Sequence, residues 1–211
     1  MFVQLLISAL LSGSIYGLIA LGYSLIYRAS GIMNLAQGDL MCLGGFLGYT
    51  FFSVLKLPFL VSLVLTVVCC FIIGCLLEKF VIRPIFKRST TTSVIILATV
   101  AVSYIIQSLE IVGWGAAPLS MPSFLKTSTV TIFGVIYQTE SLLCIAIAII
   151  FMLSIHFFMK KSRFGIAMRA AAMDPLAAGS CGINVNSTTR ITWAISTTVA
   201  GLAGMMVGPL Y

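Results

Sequence analysis

Apolar runs of membrane-crossing length recur along this chain, at residues 2–27, 57–77, 89–109, 141–159 and 191–211, none of them holding a Lys, Arg, Asp or Glu. About 20 apolar residues are needed to span a hydrocarbon core. A sixth run, 32–55, is also apolar but carries Asn34, Gln37 and Asp39 near its start. No run shows the two-residue alternation of a barrel strand, and backbone groups in lipid must be satisfied within the chain, so each run is predicted to be helical. The predicted fold class is all-α: a polytopic transmembrane helix bundle with about six membrane segments, making one domain over residues 1–211. Residues 2–27 lack the basic flank and short apolar core of a secretory signal and read as the first membrane segment.

The charged residues between the runs set the topology. Lys79, Arg83, Lys87 and Arg88 fall between the third and fourth runs, and Lys160, Lys161, Arg163, Arg169 and Arg190 between the fifth and sixth. The intervening stretch 113–140 carries only one base, Lys126. Lys and Arg mark cytoplasmic loops, so the two basic stretches are predicted to face the cytoplasm and 113–140 the outside. If 32–55 spans fully, Arg28 is cytoplasmic and the N-terminus outside; if 32–55 is re-entrant, the N-terminus is inside. The outer stretch holds Trp114, Pro118 and Pro122, and residues 130–137 read as a short strand or an interfacial turn around Gly134. After Pro209-Leu210-Tyr211 no charged tail follows, which fits a compact protein or a piece of a longer one.

Composition agrees with the pattern. Hydrophobic residues make up 60% of the chain and charged residues 8%, with a mean hydropathy of +1.15. Soluble domains carry roughly 25% charged residues, so this chain could not cover its own surface in water. Twelve Lys and Arg against five Asp and Glu give a net charge of +7. A basic balance can signal nucleic acid, but here the bases lie in short clusters between apolar runs, and no nucleic-acid partner is expected. Membrane lipid is.

Catalytic chemistry finds no foothold. The six cysteines form no C-x-x-C pair and His156 is the single histidine, so neither a metal nor another cofactor is expected. G-x-x-x-x-G-K-[ST], H-E-x-x-H and G-x-S-x-G are all absent, which leaves no P-loop, zincin or hydrolase signature. The chain is expected not to be an enzyme.

Three features can carry a function. Gly13 with Gly17, Gly44 with Gly48, and Gly204 with Gly208 have the small-xxx-small spacing that lets helices approach closely in lipid. Asn34, Gln37, Gly38 and Asp39 form a polar patch inside an apolar run, and an ionisable residue at the bilayer centre costs at least about 2.5 kcal/mol. Asp39 therefore faces the bundle or a wet cavity, or else sits near the interface and pairs locally, with Arg28 as the partner in reach. Glu110 and Glu140 stand nearer segment ends and are expected at solvated interfacial positions. The third feature is the stretch 160–190. Residues 167–173 favour helix; Asp174-Pro175 then reads as an N-cap followed by proline at the first helical position, and Gly182 is placed to end the turn or two that follow. A short cytoplasmic helix exposing Leu176 and Ala177 is predicted, suited to docking in a partner's groove.

Here the residues resemble a known family, the permease subunits of branched-chain amino-acid ABC transporters. Near the start, Gly13-Ser14-Ile15-Tyr16-Gly17-Leu18-Ile19-Ala20-Leu21-Gly22 leads through Ile26-Tyr27 to Ile32-Met33-Asn34-Leu35-Ala36-Gln37-Gly38-Asp39, where the family usually shows Asn-Phe-Ala-His-Gly-Asp. Leu35 and Gln37 depart from that pattern. Glu78-Lys79 with Arg83-Pro84 is similar to the family's first basic loop, and Arg163-Phe164-Gly165, Met168-Arg169-Ala170, Asp174 and Gly182-Ile183-Asn184 to its second. Leu176-Ala177-Ala178 and Gly182 keep the spacing of the Glu-Ala-Ala-x-x-x-Gly coupling segment, with Leu176 where the wider superfamily has Glu.

The resemblance implies a permease domain with its cytoplasmic coupling loop at 160–190, in a bacterial inner membrane. It implies translocation-path residues Asn34, Gln37, Gly38 and Asp39, and an ATPase-coupling helix of Asp174, Pro175, Leu176, Ala177, Ala178 and Gly182. Expected partners are a second permease subunit, two P-loop ATPase subunits that hydrolyse the ATP, and an extracytoplasmic solute-binding protein. Family members are usually longer, with further spans beyond residue 211. Branched-chain amino acids are the expected solute; urea or short amides, and a stand-alone ion-coupled carrier or channel with Asp39 as its ion site, are the alternatives.

Overall fold

The structure is a computed structural model that describes residues 2–31, 33–88, 91–117, 119–122, 124, 129–132 and 135–208. Ile32, Ser89, Pro118, Lys126, Gly134 and Pro209-Leu210-Tyr211 lie outside the described residues. The helices are α1 Phe2–Ser30, α2 Gln37–Tyr49, α3 Phe59–Leu77, α4 Arg83–Arg88, α5 Thr92–Trp114, α6 Thr139–Lys161, α7 Arg163–Met173, α8 Pro175–Ser180 and α9 Val185–Val207. An antiparallel hairpin, β1 Thr129–Ile132 and β2 Val135–Gln138, precedes α6, with Thr129 opposite Gln138 and Ile132 opposite Val135. The short strand anticipated in this stretch is therefore half of a hairpin.

Among the described residues, four stretches are long and apolar enough to cross a membrane: Leu5–Ser30, Phe59–Phe86, Ser93–Trp114 and Thr139–Lys161. The other two expected segments take different forms. α2 starts five residues into its apolar run and continues through a π-helical turn, Thr50–Val54. Those 18 residues reach about 27 Å at 1.5 Å per residue. α9 spends much of its sequence on Thr, Ser, Ala and Gly, and its residues from Trp193 to Met206 are buried apart from Ile195. It is the axis of the bundle, packed by α1, α2 and α3.

Small residues make that axis possible. A Cβ on Gly44 would run into the backbone of Gly201, one on Gly204 into the carbonyl of Met41, and one on Gly74 would come within 2.7 Å of the Ala194 Cα. α2 and α3 thus lie almost backbone to backbone against α9, which maximises dispersion contact where lipid offers no hydrophobic driving force. Gly13 meets nothing within 4 Å, so the small-residue spacing in α1 is not used in this way.

Four threonine hydroxyls of α9 are used within the helix. Thr188, Thr192, Thr197 and Thr198 each donate to the carbonyl four residues earlier, at 2.7–3.0 Å. Bonded this way, a threonine presents its methyl group to the neighbouring helix and leaves no buried donor unpaired.

One end of the bundle is basic. Arg28 from α1, His156 and Lys160 from α6, and Arg169 from α7 line one recess. Nearby in the fold, Arg83 donates to both carboxylate oxygens of buried Glu78, at 3.0 and 2.7 Å, and to the carbonyl of Asn186 at the start of α9, at 3.0 Å. The π turn Glu78–Ile82 comes immediately before Arg83-Pro84. Proline has no N–H and its ring crowds the carbonyl four residues back, and one wider turn relieves both. Since α1 ends beside the end of α6, its first residues lie at the far end of the bundle. Residues 33–55 therefore run from the basic end toward the far end, with residues 33–36 non-helical, and the start of α1 lies opposite the basic end.

Because Gly204 abuts the Met41 carbonyl and Gly13 faces open space, Gly204→Ala is expected to lower stability in detergent by about 1–3 kcal/mol. Gly13→Ala is expected to leave it unchanged or slightly raised. Thermal unfolding followed by scanning fluorimetry distinguishes the two; equal melting temperatures would remove the close-packing account.

Candidate functional site

After α1 ends, the chain turns back into the bundle and does not resume a helix until Gln37. The Leu35 N–H bonds to Thr99 Oγ1 at 3.2 Å, and Thr99 is the eighth residue of α5, about 10 Å along that helix from its start. Backbone at that depth has no water to bond, so side chains must complete it. Asn34 Oδ1 accepts from the Ala36 N–H at 3.1 Å, and Asn34 Nδ2 donates to Gln37 Oε1 at 3.2 Å. Gln37 Nε2 donates to the Ser196 carbonyl, and Ser196 Oγ bonds both Gln37 Oε1, at 3.3 Å, and the Gly22 carbonyl, at 2.8 Å. Asn34, Gln37 and Ser196 are all buried. The network joins α1, the unwound segment and α9, and its amides are satisfied within the chain.

Gly38 and Asp39 point the other way. Gly38 is exposed and Asp39 half-buried in the first turn of α2. Asp39 accepts from Ser103 Oγ and from Gln107 Nε2, the latter at 2.9 Å. Arg28 is at the basic end, so the local pairing considered for Asp39 is not the one observed. α2 and α5 run side by side in the same direction: Leu35 meets Thr99, Asp39 meets Ser103 and Gln107, and Thr50 accepts from Trp114 Nε1 at 2.7 Å while Phe46 stacks on the Trp114 ring. The helices share a polar seam that opens to the outside of this chain through Gly38, Cys42 and Gln107.

Glu110 lies on the same side of α5, and here the expectation of a solvated position fails. It is only 7% exposed, and its Oε1 is buried with no hydrogen-bond partner among the described residues. Asp39 acts on it electrostatically, and both act on Cys42. Glu140 is buried too, at the start of α6, where it accepts from the Phe124 N–H at 2.7 Å. Both lie near helix ends, as their positions suggested, but packing from the adjoining elements covers them. Beside Cys42, an apolar recess of about 210 Å³ is lined by Met41, Gly45, Phe46, Tyr49 and Gly204.

The second group of residues projects from the basic end. Asp174 caps α8, its Oδ1 accepting from the Leu176 and Ala177 N–H groups at 2.9 and 3.0 Å, with Pro175 at the first helical position. Cys181 closes the helix and Gly182, at φ +82°, takes the left-handed conformation that turns the chain toward α9. Ala178 is buried; Leu176 is 85% exposed and Met173 88%.

The sequence did not point to Ser196, Ser103 or Gln107, and it placed Glu110 at a solvated interface. Their partners lie tens of residues away, and the one local signal was the polar period Thr99, Ser103, Gln107, Glu110 on one side of an apolar helix. Among the described residues, no group of three His, Cys, Asp or Glu side chains is placed to hold a metal ion.

A sequence model of the family described as branched-chain amino acid transport system / permease component matches residues 5–211. The high-affinity branched-chain amino acid transport system permease protein BraD of Pseudomonas aeruginosa is 25% identical over 222 residues, covering all of this chain and 72% of that protein. The corresponding Escherichia coli protein, LivH, is 25% identical over 222 residues, covering all of this chain and 71% of its own length. A LivH from Methanocaldococcus jannaschii is 26% identical over 210 residues, 95% of this chain and 64% of the relative. No solved structure matches.

Gln37→Leu removes both the carbonyl that Asn34 and Ser196 bond and the amide that caps the Ser196 carbonyl. Stranding such groups costs about 1–3 kcal/mol each, so the variant is expected to lose folded yield and melt earlier in detergent. A wild-type melting temperature for Gln37→Leu would mean that this amide is not a structural tie.

Proposed function

The chain belongs to the branched-chain amino acid transport system / permease component family, and from that premise we propose that it is the membrane-spanning subunit of an ATP-driven importer carrying branched-chain amino acids across the bacterial inner membrane. The carrying observation is the seam of Asp39, Ser103 and Gln107, open on the flank of an otherwise apolar bundle. Facing a carboxylate and an amide to lipid is costly, and a solute path between two subunits gives them water and a partner instead. A second permease subunit closes the path from the other side. Gly38, exposed in the first turn of a helix that starts inside the bundle, adds the positive end of α2 to that path, where an anionic group of a solute is favoured. Asn34 and Gln37 hold the start of α2 in place.

The basic end is the cytoplasmic side in this reading, consistent with the distribution of Lys and Arg. Two P-loop ATPases dock there, with α8 in a groove on one of them. Leu176 and Met173 are the apolar contacts it offers, and with Leu176 in the position of the superfamily's Glu the joint relies on burial rather than charge. A solute-binding protein delivers its load at the far end, near the hairpin. ATP-driven closure then rocks the bundle through α8, giving alternating access. Urea or a short amide is the second reading for the solute, since neutral polar molecules also suit a seam of amide and hydroxyl groups.

Leu176→Asp leaves the fold untouched, the side chain being exposed, but puts a charge into the proposed joint. In liposomes holding the complete transporter, uptake and solute-stimulated ATP hydrolysis are both expected to fall roughly tenfold or more, the equivalent of about 1.4 kcal/mol. Undiminished rates, or purified complexes that contain no P-loop ATPase, would rule out α8 as the coupling element.

A further inference from the structure

The basic side chains that line the recess between α1, α6 and α7 are left without acids by this chain. Arg28, Lys160 and Arg169 make no hydrogen bond or ion pair among the described residues, and His156 has only an edge contact with the Phe157 ring. All five acids of the chain are placed elsewhere. Asp39 bonds Gln107, Glu78 pairs with Arg83, Glu110 is near the far end of α5, Glu140 accepts from the Phe124 N–H, and Asp174 caps α8. Bases gathered from three helices repel one another, and an anion among them replaces that repulsion with charge-assisted hydrogen bonds.

The same recess is apolar on its other walls. Leu21, Leu25, Ile155 and Met159 form them, around a space of about 390 Å³. His156 lies one turn of α6, about 6 Å, deeper than Lys160, so the charge extends to where α1 and α6 are membrane helices. Toward the far end this flank continues as an open apolar recess of about 480 Å³, between Leu10 and Gly13 of α1 and Ile149 and Met152 of α6. A third recess, of about 340 Å³, shares Arg28 and Arg169 and reaches Met173. Tyr27, 54% exposed, and Lys161, whose Nζ lies 5.7 Å from the Phe157 ring centroid, are side chains suited to the headgroup level. A dissolved anion gains nothing from the apolar walls, and a hydrocarbon chain gains nothing from the bases.

We infer that this recess seats the phosphodiester of an anionic glycerophospholipid from the leaflet at the basic end, with the start of its acyl chains on Leu21, Leu25, Ile155 and Met159. Guanidinium forks match phosphate oxygens bidentately, and an ammonium and an imidazole N–H add further donors. Basic pockets between membrane helices recognise phospholipid headgroups in this way. A zwitterionic lipid is disfavoured, because its own ammonium meets no carboxylate among the lining residues. The inference requires only that the chain spans a membrane, and the flank is not the one that carries the α2–α5 seam. A lipid held there ties α7, and through Asp174 the start of α8, to α1 and α6.

The test reconstitutes the complete transporter in phosphatidylcholine vesicles containing a small fraction of phosphatidylglycerol with a photoactivatable diazirine near the glycerol end of one acyl chain. After irradiation, adducts are located by mass spectrometry of the digested chain. They are expected to concentrate on the peptides holding Leu21, Leu25, Ile155 and Met159, to be displaced by unlabelled phosphatidylglycerol, and to persist in excess inorganic phosphate. Arg28→Gln/Arg169→Gln changes two exposed side chains that have no bonds to lose, so melting in lipid-free detergent is expected to stay at the wild-type temperature. The mole fraction of phosphatidylglycerol for half-maximal labelling of those peptides is expected to rise roughly tenfold or more in that variant. Equal labelling of the wild type by phosphatidylcholine carrying the same diazirine overturns the headgroup site. Displacement by inorganic phosphate would reassign it to a dissolved anion, and labelling that appears only after the ATPases are stripped off would reassign it to an acidic segment of a partner. Either result overturns the lipid assignment and leaves the importer reading intact.

Discussion

An unwound stretch of backbone can sit inside a membrane bundle only if something other than water satisfies its N–H and C=O groups, and the rest of this molecule is arranged around that requirement. The stretch is residues 33–36. Thr99 and the Asn34 side chain accept from the Leu35 and Ala36 N–H groups, and Gln37 and Ser196 tie the end of the segment to α9 and α1. Removing the network would require either a continuous helix from α1 into the turn or a water-filled crevice, and both would displace the start of α2. Fixing that start fixes Gly38 and Asp39 beside α5, so a structural amide network sets the position of the Asp39 carboxylate without itself being part of the α2–α5 seam.

The same requirement shapes α9. A helix that packs α1, α2 and α3 at backbone distance cannot carry bulky side chains, and one that presents Ser196 to Gln37 cannot be wholly apolar. Gly201, Gly204, Ala200 and Ala203 meet the first condition, and the back-bonded threonines make the second affordable. The result is a central helix of lower hydropathy than the lipid-facing helices around it, which explains why it fails the composition expected of a membrane span although it is among the most buried elements.

How much of this is legible in sequence depends on how local each interaction is. The cap of α8 needs only Asp174 and the N–H groups two and three residues on, followed by a glycine that accepts a positive φ, and all of it can be read from nine consecutive residues. The apolar runs that became α1, α3, α5 and α6 are equally local. Glu110 illustrates the opposite case. Its position near a helix end suggested solvent, but tertiary packing that no local pattern shows leaves it 7% exposed. The polar patch 34–39 is an intermediate case: its presence inside an apolar run was plain, but its division at Gln37 into an inward structural half and an outward half was not. That division follows from where the helix starts: Asn34 and Gln37 bond each other and Ser196 of α9, while Asp39, two residues on, faces Ser103 and Gln107 of α5.

The two functional regions are also mechanically connected. α8 passes through Gly182 into α9, whose first turn is capped by Asn184, with its side chain accepting from the Ser187 N–H at 3.2 Å. Arg83 clamps the Asn186 carbonyl to the end of α3. Eleven residues along α9 from its start, Ser196 bonds both Gln37 and the Gly22 carbonyl. A force applied at Leu176 is therefore carried by a capped helix, not a loop, to the point where α1, α2 and α9 are joined. Packed helices with glycine contacts resist gradual deformation and move between discrete arrangements. If α9 shifts along its axis, the Ser196–Gln37 bonds must move with it or break, and in either case Asp39 changes position relative to Ser103, Gln107 and Glu110. The hydrogen bonds that make a broken helix tolerable inside the membrane are, on this argument, the same ones through which a push at the basic end reaches the seam.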